Sequence, residues 1–329
     1  MKYAVQKPSW RHGEARRKLP VPFSWLRFLL LLLCSLMLFH LLALLVSASG
    51  ASSGASSSVS SGASSGASPG ASSGASSGTV YVVTATFPRP EQEADLLRLA
   101  QTLMHVPFVH WVVVEDAKVK TQTVVELLSR CGIRYVHLLG KLPEEMRAQP
   151  HWGRVPRGVS NRNTGLRWVR QHATDGVVYF ADDDNTYDIR LFPELQRTRR
   201  VSVFPVGLVS RQGVSSPVVK DGRVVAFFDG WIGGRKFPMD MAGFAVSVDW
   251  LRQNPEAEMP YKAGYEEDGF LKALNIGRDE LEPLANNCSQ ILVWHTQTQK
   301  VEPFERTNLA DFVDTNIVYL TKHLMQKTR

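Results

Sequence analysis

VVYFADDDNTY, residues 177–187, decides the fold. Residues 177–181 are apolar or aromatic and rich in β-forming types, the pattern of a short strand buried on both faces of a parallel or mixed sheet. Three carboxylates follow at once: Asp182, Asp183 and Asp184. Like charges in a row repel one another and resist burial, so their place at the end of a buried strand calls for something cationic. Hard carboxylate oxygens suit Mg²⁺ or Mn²⁺ better than zinc. In open α/β sheets, ligands bind at the carboxyl ends of the strands. The bland alternative is a solvated acidic turn with Asn185 as a turn residue. The apolar strand that feeds the triplet argues against it.

Upstream, residues 79–84 (TVYVVT) read as a buried strand, and 91–103 as a helix with Leu96, Leu97, Leu99 and Leu103 on its apolar face. Residues 110–114 read as a strand ending in Glu115-Asp116, 123–130 as a helix and 134–139 as a third strand. Strands alternating with helices imply right-handed crossovers and an α/β fold with a mainly parallel, doubly wound sheet flanked by helices. A nucleotide would lie across the carboxyl edge of such a sheet. Residues 141–156 read as a loop, with Pro143, Pro150, Gly153 and Pro156. Then a helix opens at Arg157 and runs through Leu166 and Val169. Arg157 and Arg162 are misplaced for the helix itself, which favours acids at its N-terminus. With the free N–H groups there they suit a phosphate or carboxylate; two solvated surface arginines are an equal alternative.

Downstream, residues 201–206 read as a strand, the chain to Val219 as a polar loop, and 223–228 as another strand. Trp231 and Arg235 follow in WIGGR, and Asp240 sits inside the apolar run PMDMAGFAV. An unpaired buried carboxylate is costly, so Arg235 is expected as its partner or as a fellow ligand contact. YEEDGFL, residues 265–271, opens a short helix with three acids. On pattern alone these are ordinary helix N-terminal charge; the sharper alternative is a general base among them. ILVWH, residues 291–295, is an apolar strand ending in His295. An isolated His is more often structural, although one at the metal edge suits a phosphate.

The chain has 329 residues and a net charge of +7. Lys2, Lys7, Arg11, Arg16, Arg17, Lys18 and Arg27 stand against Glu14 alone before residue 28, so six of the seven net charges lie there. The basic balance is therefore a local flank and gives no argument for nucleic acid. Residues 28–46, FLLLLLCSLMLFHLLALLV, carry no formal charge. At full helical rise they span about 28 Å, enough for a bilayer core. The basic flank puts the N-terminus (1–27) in the cytoplasm and the rest in the lumen. A cleaved signal peptide is the rival reading, but its apolar core and basic region are usually shorter. Residues 47–78 are Ala-Ser-Ser-Gly repeats without charge, a stem that cannot offset its own ordering entropy. Residues 79–300 have the length of one ample domain, and 301–329 form a C-terminal tail. Three cysteines, Cys34, Cys131 and Cys288, make neither a disulfide scaffold nor a zinc site, and whether the last two pair stays open. Asn287-Cys288-Ser289 fits the N-glycosylation sequon.

Four blocks, VVYFADDDNTY, SVFPVGLVS, FPMDMAGFAV and ILVWHT, resemble the animal β-1,3-glucuronosyltransferases. Members are Golgi membrane enzymes of nucleotide-sugar transferase (GT-A-like) fold, with one N-terminal anchor and a lumenal catalytic domain. They transfer glucuronic acid from UDP-glucuronate to a terminal galactose, with inversion, using Mn²⁺. The resemblance covers residues 79–300 and implies a galactose-terminated acceptor such as the Gal-Gal-Xyl proteoglycan linker. It leaves room for a homodimer. By resemblance Asp184 is the principal Mn²⁺ ligand, with Asp183 beside it, and Asp182 and Asp183 approach the ribose and donor sugar. Phe87 and Asp116 match the uracil contacts, Arg157 and Arg162 the donor-binding arginines, and His295 a diphosphate contact. Glu267 matches the catalytic base, and Trp231, Arg235 and Asp240 match acceptor-side residues. One base and one metal suffice for an inverting transfer.

Three positions depart from the family pattern. Gln297 stands where an arginine near the diphosphate is usual, Ser215 where many members have an acceptor-contacting glutamate, and Ala85-Thr86-Phe87 where Pro-Thr-Tyr is usual. They bear on donor affinity and acceptor choice more than on the fold. Two rival functions remain in view. Asp182-x-Asp184-x-Thr186 also fits haloacid-dehalogenase phosphatases, but those carry the motif on their first strand with a later Gly-Asp-x-x-x-Asp, absent here. A non-catalytic or donor-hydrolysing glycan-binding member of the same fold is the other.

Overall fold

The computed structural model describes residues 78–140, 156, 158–299 and 309–325. The expected anchor at 28–46, the stem at 47–78 save its last residue, and Arg157 lie outside the described residues. Among the described residues no helix is long and apolar enough to cross a membrane.

The chain runs β1 (Val80–Thr86), α1 (Gln92–Leu103), β2 (Val109–Glu115), α2 (Gln122–Arg130), β3 (Arg134–Leu139), α3 (Val159–His172) and β4 (Val177–Phe180). This is the alternation the periodicity predicts, and the bounds of β3 are those expected. The strands β4-β1-β2-β3 are parallel neighbours in a seven-stranded sheet of order β11-β6-β10-β4-β1-β2-β3. The outer members are β6 (Val201–Val203), β10 (Phe244–Ser247) and β11 (Glu282–Pro283). Here β10 runs antiparallel to both β4 and β6 while β11 is parallel to β6, so the sheet is mixed, with four of its six pairings parallel where a mainly parallel sheet is expected. A parallel connection needs a crossover, usually helical. Between the antiparallel β6 and β10 the chain builds three strands of a second sheet instead.

That second sheet has the order β5-β12-β7-β8-β9. It joins β5 (Thr186–Tyr187), β7 (Val206–Gly207), β8 (Val214–Lys220), β9 (Arg223–Phe228) and β12 (Val293–Trp294). Two expectations are corrected here. The single strand at 201–206 is two strands in different sheets, split at Phe204-Pro205, because proline has no N–H to continue a ladder. The second half of the polar loop to Val219 is β8, whose buried face carries Ser215 and Pro217 in place of large apolar groups.

Both faces of β4 are buried, as its unbroken apolar run requires. Val177 and Tyr179 pack with Val82, Trp111, Leu96 and Leu99 in one core layer. Val178 and Phe180 pack with Val83, Leu166, Phe244 and Phe270 in the other. The remaining helices α4 (Leu191–Leu195), α5 (Val248–Gln253), α6 (Glu266–Ala273) and α7 (Asn316–Met325) complete the fold. Register brings the carboxyl ends of β1, β2 and β4 level: Val83 is opposite Phe180, Thr86 is opposite Glu115, and Asp116 N–H donates to Thr86 O at 2.8 Å. The Asp triplet, Phe87 and Asp116 thus leave the sheet along one edge.

Candidate active site

The three carboxylates have different surroundings. Asp183 is buried, accepting from Thr86 Oγ1 (2.7 Å) at one oxygen and from Arg89 Nη2 (2.7 Å) at the other. Burial still holds its carboxyl above the usual range against the pull of Arg89 and Thr86. Asp182 accepts from Arg162, which rises from the first turn of α3. That turn is entered through Gly158 at φ +78°, where a Cβ would lie 2.7 Å from Arg162 Nη1, so glycine is what lets the guanidinium fold back onto Asp182. Asp184 forms no ion pair among the described residues. Burial, then the charges of Asp183 and Asp182, push its carboxyl up to about 6. Asp184 therefore points to an uncompensated anionic spot.

The triplet faces a cavity of about 590 Å³, which Phe87, Asp116, Asn161, Arg162 and Gln297 also line. Among the described residues no three His, Cys, Asp or Glu side chains are grouped to enclose a metal. A Mg²⁺- or Mn²⁺-type ion held by one carboxylate, waters and phosphate oxygens needs no such cage. The hard oxygens and unpaired charge of Asp184 fit that kind of ion.

On the other side of the triplet, Asp240 caps a short 3-10 turn by accepting from Ala242 N (3.0 Å). Its Oδ2 lies 3.2 Å from His295 Nδ1, and this carboxylate draws the His295 pKa upward. The expected Asp240–Arg235 pair is thereby corrected. Arg235 Nη2 instead pairs with Asp229 Oδ1 at 2.9 Å, and its guanidinium lies over the half-exposed Trp231 ring at 4.5 Å. Asp240 stands at the turn that leads into β10 and meets the imidazole of His295, just past the end of β12.

Trp231 meets Tyr265 edge-on at 5.5 Å. Gly264, at φ +79°, makes this approach feasible, since a Cβ there would strike the indole at 2.5 Å. Tyr265 precedes α6, on which Glu267 is the second residue. The next residue, Asp268, is buried and accepts from the backbone N–H groups of Lys236 (2.7 Å) and Phe237 (2.9 Å). So the start of α6 and the 231–237 loop are tied together at both ends. Glu267 is partly buried. Burial, then the charges of Glu266 and Asp240, push its carboxyl up to about 7, against the pull of Arg162. A carboxylate poised there suits a general base near neutral pH.

The sequence profile described as glycosyltransferase family 43 matches residues 99–299. The chain belongs to glycosyltransferase family 43. It is 48% identical over 248 residues to galactosylgalactosylxylosylprotein 3-beta-glucuronosyltransferase P of Drosophila melanogaster, covering 75% of this chain and 51% of that one. Enzyme S of the same fly is 50% identical over 221 residues, covering 67% and 53%. Against galactosylgalactosylxylosylprotein 3-beta-glucuronosyltransferase 2 of Rattus norvegicus the identity is 45% over 231 residues, covering 68% and 70%. The chain spans about half the length of the two fly proteins.

Residues of this family-43 chain that sequence reasoning missed are Arg89, Asp95, Thr86 and Asp229. Arg89 stands between Pro88 and Pro90 directly after β1, and a rigidly held arginine at the carboxyl edge of a parallel strand is a legible signal. Asp95, buried on the apolar side of α1, is the other. The expected sequon residue Asn287 is exposed, in a left-handed turn at φ +53°. Cys131 and Cys288 are both free, which settles the pairing left open above.

Proposed function

We propose that this family-43 chain transfers glucuronic acid from UDP-glucuronate to a terminal galactose of a glycan, the Gal-Gal-Xyl linker or a related galactoside, with inversion. The reading is supported by the names of the fly and rat relatives. The observation that carries it is the division within the triplet: Arg162 and Arg89 hold Asp182 and Asp183, while Asp184 keeps an uncompensated charge. The GT-A-like assignment of the α/β fold rests on family membership. In this reading Phe87 and Asp116 take the uracil, and Arg162 with Asp182 orients the ribose and donor sugar. Asp184, with Asp183 held beside it, would hold a divalent cation such as Mn²⁺. When bound, that cation would offset the charge of the departing diphosphate.

His295, its pKa raised by Asp240, stands ready to donate to the same diphosphate. Trp231 offers a stacking face to the acceptor, with Arg235 and Asp240 beside it. Glu267 removes the proton of the attacking galactose hydroxyl. The hydroxyl oxygen bonds to the anomeric carbon as that carbon's bond to the diphosphate oxygen breaks, in one displacement that inverts configuration. UDP leaves with the electron pair. One base and no enzyme nucleophile match this stoichiometry.

The basic flank and the 19 uncharged residues at 28–46 support a single-pass type II membrane protein with its catalytic domain in the lumen, and the family resemblance favours the Golgi. The test is the full chain with Mn²⁺, UDP-glucuronate and a panel of galactosyl acceptors. The expected product is a β-1,3-linked glucuronic acid that disappears in EDTA. Release of UDP without a glycan product would instead identify a donor-hydrolysing, glycan-binding member of the fold. Protease protection of the lumenal domain in sealed vesicles tests the topology, and secretion of a chain beginning near Gly50 would overturn it.

A further inference from the structure

Position 215, where family resemblance places a glutamate, is a serine that is 1% exposed. Its Oγ donates to Asp229 Oδ2 at 2.5 Å. Ser215 lies on β8 and Asp229 just past β9, one step beyond the Ser216–Phe228 pair of the ladder. The carboxylate absent from one strand is therefore present on its neighbour. Asp229 is also the hub of the Trp231 loop. Its Oδ1 accepts from Trp231 N (2.8 Å) and from Arg235 Nη2 (2.9 Å). Both ends of that ion pair are buried, with side chains 7% and 5% exposed. The Arg235 guanidinium also donates to Trp231 O and lies beneath the indole. Its Nε is buried without a hydrogen-bond partner among the described residues. A buried guanidinium keeps its place only if paired, and here Asp229 is the pairing group. Trp231 in turn touches Tyr265, two residues from Glu267.

We propose that Asp229 is a positioning residue for the acceptor: from the end of β9 it replaces the carboxylate missing at 215 and holds Arg235 under the Trp231 face on which the acceptor sugar stacks. The proposal rests on the function proposed above. It concerns one side of the site only, since among the described residues Asp229 contacts none of those assigned to the donor.

The test moves the carboxylate back. In the full chain, Asp229→Asn raises the KM for a Gal-Gal-xyloside about tenfold to hundredfold, the loss of a charge-assisted pair, and leaves the KM for UDP-glucuronate unchanged. Ser215→Glu added to Asp229→Asn restores acceptor KM to within a few fold of wild type. Binding of the same trisaccharide, read by saturation-transfer NMR, follows the same order. An unchanged acceptor KM in Asp229→Asn overturns the proposal, and so does a double variant no better than the single one. If Asp229→Asn does not fold, recovery of both folding and trisaccharide binding in the double variant supports the proposal, and failure to recover them overturns it. Should wild type bind the trisaccharide yet transfer nothing to it, the proposed reaction fails. The binding series still decides the role of Asp229.

Discussion

Arg89 Nη2 lies 2.7 Å from Asp183 Oδ1 and 2.7 Å from Asp95 Oδ2, so a single guanidinium nitrogen bridges two buried carboxylates, the second of which Arg98 also pairs. Asp95 is 1% exposed and Asp183 5% exposed. The pairing fixes the end of β1 to α1 and to the Asp triplet at once. Replacing Arg89 by methionine keeps much of its volume and removes its charge. Asp95 keeps Arg98, but Asp183 loses its only cation among the described residues, and breaking a buried pair from one side costs about 3–5 kcal/mol because the remaining charge is left unpaired. Urea unfolding of Arg89→Met at neutral pH is expected to show a loss of that order. The loss should shrink in mild acid, where Asp183, left without its guanidinium, takes up a proton in the folded state and the penalty is relieved. A stability within 1 kcal/mol of wild type at neutral pH, against the estimate from buried pairs, would mean that water reaches these groups.

Asp184 is the carboxylate left for a cation. In wild type, Mn²⁺ with UDP is expected to raise the melting temperature, because ligands that bind only the folded state stabilise it by mass action. Asp184→Asn should fold as well as wild type without metal, since it removes an uncompensated charge. It should lose the Mn²⁺-dependent part of the rise and all transfer activity. Thermal scans with and without Mn²⁺ and EDTA check this. A full Mn²⁺ response in Asp184→Asn would move the metal site elsewhere.

Much of the edge that carries the Asp triplet was legible because its elements announce themselves locally. An unbroken apolar run ending in three aspartates is readable within 11 residues. The second sheet was not. The buried face of β8 is built from Ser215 and Pro217, which carry no hydrophobic alternation, and its partners β7 and β9 are set by pairing. Partner choice was also hidden. Arg235 has aspartates six residues before it and five after it, and sequence gives no ground for preferring Asp229 to Asp240. The choice follows from where β9 and β12 deliver each group. On pattern alone Glu267 looked like helix N-terminal charge, and only resemblance singled it out; burial pushes its pKa up to about 7, whereas against burial Lys272 and two backbone N–H groups hold that of Asp268 down.

The rise of the Glu267 pKa to about 7 predicts the pH profile. A general base works only when deprotonated. The kcat/KM is therefore expected to climb with pH through about 7 and level off above it. Glu267→Gln should lower turnover about 10²- to 10⁴-fold with donor binding little changed. Asp240 contributes to the raised value, so Asp240→Asn should move the climbing limb to lower pH in whatever activity remains. If Glu266→Gln is the inactive variant and Glu267→Gln is not, the base is the neighbouring residue.

Gln297 tests the diphosphate end of the site. Strand β12 stops at Trp294, so residues 295 and 297 are not related by strand alternation. They meet all the same: Gln297 Nε2 lies 3.5 Å from His295 Nε2. The segment is pinned on both sides of Gln297. Thr296 Oγ1 donates to Asp184 O at 2.6 Å, and Thr298 Oγ1 to Asp95 Oδ1 at 2.5 Å. Residue 297 is thereby held at the rim of the cavity that contains Asp184, with an exposed side chain. Glutamine donates only neutral hydrogen bonds. An arginine at this place would make charge-assisted bonds to phosphate, about 1.5–3 kcal/mol when well formed and less at an exposed rim. Gln297→Arg is therefore expected to tighten UDP binding in Mn²⁺ about fivefold, or roughly 1 kcal/mol. The gain should be larger at low salt than at high salt, because the new charge is exposed and screened. Calorimetric titration of wild type and variant at two salt concentrations measures both effects. An affinity unchanged or weakened in the variant would show that residue 297 faces away from the diphosphate, and that His295 alone serves that end of the donor.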